Sequence, residues 1–217
     1  GGGAGGPPPL DGTLDGFELA EPLRLSLEDQ YRRGEDAYPG PEDFSALAYA
    51  GWDETALYLA VQVTKPDLCL RDGAAPPLRL DNEVDDIHSD GLQIYIGNRE
   101  ARVGYLVVPD AAAGAGAGAG LRVHRTSDTE PDPEGTAVSG SWRRTPGGYR
   151  VTLGIAWPRE LLAHVGARVG FDLIINEMLP GRTRRAGQLV WSGGNGWVWL
   201  RGDRQDPNRF GTLELVV

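Results

Sequence analysis

Residues 52–63 read Trp-Asp-Glu-Thr-Ala-Leu-Tyr-Leu-Ala-Val-Gln-Val. Leu57, Leu59, Val61 and Val63 fall on one parity, and Tyr58, Ala60 and Gln62 on the other. Side chains of an extended chain alternate between two faces, so this spacing predicts a half-buried strand. Trp52 sits where one strand turns into the next and reads as a packing residue. The same alternation recurs at Leu23/Leu25/Leu27, Leu92/Ile94/Ile96, Tyr149/Val151/Leu153/Ile155, Val169/Phe171/Leu173/Ile175 and Leu213/Leu215. Most of these runs are separated by Gly, Pro, Asp or Asn clusters. Many short strands joined by turns define an all-β chain, a β-sandwich or jelly roll. One short connecting helix is expected at residues 157–164, where Pro158 suits a first helical position and His164 a last turn.

The composition agrees. The chain has 217 residues, 32 of them Gly and 16 Pro, which favours turns over a helical bundle. Its length suits one domain with a sizeable core. Net charge is −10, which disfavours nucleic acid and anionic membranes as partners. A single cysteine, Cys69, excludes an internal disulfide and reads as a small buried residue. No apolar run is long enough to span a bilayer. Residues 1–10, rich in Gly and Pro, read as a linker or expression remnant, and 11–217 as the single domain. A start of this kind points to a module cut from something longer. Ala111–Gly120, an Ala/Gly repeat, is expected to be a loop between strands.

Two stretches could carry chemistry. Trp191–Gly211 holds three of the six tryptophans, set among Gly, Asn, Asp and Arg. Trp191 follows Leu189-Val190 and reads as the end of a core strand. Trp197 and Trp199 share parity, so an extended backbone places both rings on one face, about 7 Å apart. Flat apolar faces ringed by Asn195, Arg201, Asp203 and Gln205 suit a sugar, the rings stacking and the polar groups reading hydroxyls. The second stretch, Asp81–Asp90, carries five carboxylates in ten residues. Asp81, Glu83, Asp85, Asp86 and Asp90 supply the oxygen chemistry of a structural calcium, without EF-hand spacing. A solvated acidic loop is the alternative. A third reading takes Asp86, His88 and Asp90, which share parity, as acid–base or metal-binding groups of a hydrolase or lyase. Arg182, Arg184, Arg185, Arg201, Arg204 and Arg209 could read hydroxyls or neutralise the acidic run, and for most of them the alternative is solvated surface charge.

Five segments together resemble the family 9 carbohydrate-binding modules and their relatives. They are Asp11-Gly12-Thr13-Leu14-Asp15-Gly16-Phe17, residues 52–63, Ser89–Ile96, Gly148–Trp157 and Pro207–Leu215. The resemblance implies a β-sandwich with calcium sites and no catalysis. It also implies a sugar held between two tryptophan faces, the C-terminal one at Trp197 or Trp199. The opposing tryptophan should precede the strand at Leu92, yet Leu78–Ser89 contains none. Gln93 and Thr152 stand where the family has Glu.

The sequence therefore predicts a non-catalytic carbohydrate-binding module of a bacterial secreted or cell-surface protein. Its ligand would be an oligo- or polysaccharide, and a neighbouring enzyme domain a possible partner. The alternatives are a structural accessory domain that has lost sugar binding, and a carboxylate- or metal-dependent glycan hydrolase or lyase.

Overall fold

The computed structural model describes residues 7–32, 37–79, 83–97, 102–111, 120–125, 138–158, 161–193 and 209–217. In chain order the strands are β1 (Leu23–Leu25), β2 (Tyr31–Arg32), β3 (Ser45–Trp52), β4 (Ala56–Thr64), β5 (Gly91–Gly97) and β6 (Arg102–Pro109). They continue with β7 (Leu121–Arg125), β8 (Val138–Thr145), β9 (Gly148–Ala156), β10 (Arg168–Glu177), β11 (Gly187–Val190) and β12 (Gly211–Glu214). The first sheet runs β1-β3-β4-β9-β8 and the second β2-β11-β10-β5-β6-β7. Both β11 and β12 pair with β10, β11 along residues 174–177 and β12 along 168–171. All pairings are antiparallel among the described residues.

The two sheets share one core. Leu57, Leu59, Val61 and Val63 of β4 and Tyr149, Val151, Leu153 and Ile155 of β9 enter it from the first sheet. Leu92, Ile94 and Ile96 of β5 and Val169, Phe171, Leu173 and Ile175 of β10 enter from the second. These are the parities expected from the sequence. Trp142 is buried in the same core, and Trp52, Trp157 and Trp191 pack against it.

The strands differ from the expected half-burial, because their opposite faces are covered too. On the first sheet the cover is the segment 10–20. Phe17 packs with Tyr58 and Ala60, flanked by Leu10, Leu14 and Tyr49. Polar contacts fix this strap: Ser141 Oγ donates to Leu10 O (2.7 Å), and Arg143 Nε donates to Asp11 O (2.7 Å). Gly12 N donates to Thr152 Oγ1 (2.8 Å). Gly12 has φ 85°, which favours glycine, and Gly154 leaves room where Leu10 crosses the sheet. Thr152 thus anchors the strap. Thr152→Val is expected to leave the buried Gly12 N–H unpaired and cost about 1–2 kcal/mol in a denaturant titration.

The helix expected at 157–164 is corrected in its described residues. Leu161 N donates to Pro158 O (2.9 Å), and residues 161–164 are not helical. Trp157, Leu161 and Ala163 pack on the core while Leu162 is exposed, an alternation that belongs to extended chain. Eight residues cannot repay helix nucleation when the core instead takes alternate side chains. The short helical elements described are two 3-10 turns, Glu28–Gln30 and Asp85–Ile87.

Candidate functional site

With the strap over the first sheet, the outer face of the second is where a site can be built. Two apolar clusters lie there. Leu106 and Val108 of β6 pack with Ile87 of the 3-10 turn. Tyr95, Ile174 and Val190 pack with Phe210, whose ring stacks on Tyr95 at 5.9 Å. An amide network lies on the same face. Gln188 Nε2 donates to Gln93 Oε1 (3.0 Å) and to Asn176 Oδ1 (2.9 Å), and Gln93 Nε2 donates to the Tyr95 hydroxyl (2.6 Å). Three adjacent strands, β5, β10 and β11, place these groups in register, with Ile174 opposite both Gln93 and Val190. Gln93, Asn176 and Gln188 are fully buried. An uncharged amide floor with directional donors and acceptors is the chemistry that discriminates hydroxyls. Gln93 was visible in the sequence only as a departure from the family pattern. Asn176 and Gln188 were missed, because an isolated amide in an apolar strand carries no spacing signal; only the register unites them.

Trp197, Trp199, Asn195, Arg201, Asp203 and Gln205 lie outside the described residues. Their flanks are placed. Gly193 N donates to Val190 O (3.0 Å), Ser192 Oγ donates to Asp172 Oδ2 (2.6 Å), and Phe210 belongs to the Tyr95 cluster. The chain therefore leaves and rejoins the second sheet on either side of this segment.

Of the acidic run, Asp81 lies outside the described residues. The other four carboxylates turn to different partners. Glu83 pairs with Arg185 (3.5 Å), both buried. Asp85 Oδ2 accepts from Leu78 N (3.1 Å) and Arg71 Nη2 (3.4 Å). Asp86 takes Arg122 and His124. Asp90 accepts from Cys69 N (2.6 Å) and Met178 N (2.7 Å), and pairs with Lys65 Nζ (2.9 Å). Burial pushes the Asp90 carboxyl up to about 6, although Lys65 and the two N–H groups pull the other way. The His124 hydrogen bond and the Arg122 pair hold Asp86 well below the usual carboxylate range. Among the described residues no three His, Cys, Asp or Glu side chains make a metal-holding group. The four described acids do not fit one shared calcium cage.

Asp86, His88 and Asp90 share parity but not a centre. His88 Nδ1 accepts from Arg185 N (3.2 Å), while Asp86 pairs with Arg122 and Asp90 with Lys65. A pocket of about 380 Å³ opens at this end of the sandwich between residues 69–78 and 178–183, and of the three only His88 lines it. Cys69 is partly buried, with its thiol raised by burial.

Fold and site define a β-sandwich binding module. A family described as carbohydrate family 9 binding domain-like matches residues 11–217, and the chain belongs to it. It is a non-catalytic carbohydrate-binding module. Its fold is similar to a family 9 carbohydrate binding module from Caldicellulosiruptor kristjanssonii in complex with cellotriose. The TM-score is 0.65 at 18% identity, covering 97% of this chain and 90% of that one. The same holds for a module from that organism in complex with glucose, with TM-score 0.65, 19% identity, and 97% and 92% coverage. No curated protein matches this chain.

Proposed function

We propose that this module binds glucose-containing oligosaccharides on the outer face of the second sheet. Gln93, Asn176 and Gln188 form a neutral floor, and Trp197 and Trp199 the stacking platform. Asn195, Arg201, Asp203 and Gln205 complete the hydroxyl contacts. The observation that carries this reading is the amide network, which joins three strands on the outer face of the second sheet. The ligands of the two similar modules, cellotriose and glucose, supply the probes. On this reading the module works outside the cell or at its surface, beside an enzyme acting on the same polymer.

A specific observation favours a second reading, an accessory domain without sugar binding. The floor amides are fully buried, and Ile87, in the stretch where the family's opposing tryptophan is expected, is packed against Leu106 and Val108. Titration calorimetry with cellotriose and glucose separates the two. Saturable binding, stronger for the trisaccharide, is expected; no heat with either sugar, from a cooperatively folded sample, assigns the accessory role.

A further inference from the structure

Arg122 stands in an unusual enclosure. Strand β7 pairs with β6 so that Arg122 lies opposite Val108 and His124 opposite Leu106, on the outer face beneath the 3-10 turn. The Arg122 guanidinium donates to oxygens from three separate segments. Nε reaches Asp86 Oδ2 (3.0 Å) and Nη2 reaches Asp86 Oδ1 (2.9 Å), a bidentate fork. Nη1 reaches Asp110 Oδ1 (3.2 Å), and Nη2 also donates to the main-chain carbonyl of Arg71 (2.9 Å). Two carboxylates and a backbone carbonyl converging on one positive charge are the donor set that calcium takes. Here a guanidinium, planar and permanently charged, occupies the centre.

We infer that Arg122 is a built-in counter-ion, filling an oxygen cage whose chemistry is that of a divalent-cation site. The acidic run then folds onto the second sheet without a metal at this position. Asp86 is the hinge of the arrangement. It carries the 3-10 turn, Ile87 beside it enters the Leu106 cluster, and Arg122 and His124 tie both to β7. Arg71, with Nε 4.0 Å from Asp86 Oδ1, gives only secondary compensation. Deleting the guanidinium removes the cation that Asp86 and Asp110 share, while His124 still holds Asp86 Oδ2 (2.6 Å), and leaves room for an ion with its waters.

The test compares thermal midpoints of the wild-type domain, Arg122→Ala and Arg122→Lys, each in chelator and in millimolar calcium or magnesium. Arg122→Ala is expected to melt about 5–10 °C below wild type in chelator. Calcium should restore at least half of that loss, and magnesium less, because it demands a stricter octahedron. Arg122→Lys, which keeps a charge in the cage, should stay nearer wild type and respond to calcium no more than wild type does. Equal calcium responses in wild type and Arg122→Ala overturn the inference, as does an alanine variant that calcium leaves unchanged. Should Arg122→Ala fail to fold in every buffer, the lysine variant decides. A folded Arg122→Lys supports the counter-ion role, and an unfolded one overturns it.

Discussion

Trp142→Ala is expected to destabilise the domain by about 3–5 kcal/mol, the cost of deleting a buried aromatic ring and leaving a cavity. For a chain of this length that lowers the thermal midpoint by about 6–20 °C. Trp142 is 1% exposed and joins the core that both sheets share. Its strand, β8, is the edge of the first sheet, paired on one side with β9. Loss of the ring therefore opens the core where a single neighbouring strand closes it. Trp142→Phe is expected to cost less than half as much. It retains most of the apolar area and removes an indole N–H that has no hydrogen-bond partner among the described residues, and burying such a donor costs about 1–3 kcal/mol. Circular dichroism melts of the two variants give both numbers. A drop of only a degree or two for alanine would place the ring outside the core.

Trp142 also shows where sequence reading stops. Followed by Arg143 and Arg144, it reads equally as core or surface. The structure resolves this through parity: Arg143 faces the strap and donates to Asp11 O, while Arg144 shares the tryptophan's face at the strand end, 5.9 Å from its ring centroid. The inner sets of β4, β5, β9 and β10 were legible because apolar side chains recur every second residue. What covers the outer faces was not. Phe17 lies some forty residues before the Tyr58 it packs on, and local periodicity holds no record of such pairings. The family resemblance flagged the Asp11–Phe17 motif, and the structure supplies its physical role as a strap. For the acidic run, counting carboxylates found the charge but not its partners. Lys65 and Arg71, Arg122, and Arg185 come from three separate stretches of chain, and only the topology brings each to its own acid.

Replacing Trp197 and Trp199 together by alanine is expected to weaken cellotriose binding by about 30- to 150-fold, the equivalent of about 2–3 kcal/mol. The magnitude follows from what the two kinds of group contribute. A neutral hydrogen bond to a sugar hydroxyl replaces one to water and nets only about 1 kcal/mol. An indole face buried against the apolar face of a pyranose loses water from both surfaces, and aromatic anchors dominate binding energies for that reason. Disrupting the floor with Gln188→Ala should therefore reduce affinity less than the double tryptophan change. It should lower the melting midpoint more, because it leaves Gln93 Oε1 and Asn176 Oδ1 without their donor. The described core is built from other residues, so the double variant should melt within a few degrees of wild type. Calorimetric titrations of both variants alongside melts make the comparison. Unchanged affinity in the tryptophan variant, in a parent that binds cellotriose, would remove the platform from these rings and leave the amide floor as the whole site. A large fall in melting midpoint would instead make them structural, which is what an accessory domain without a ligand requires.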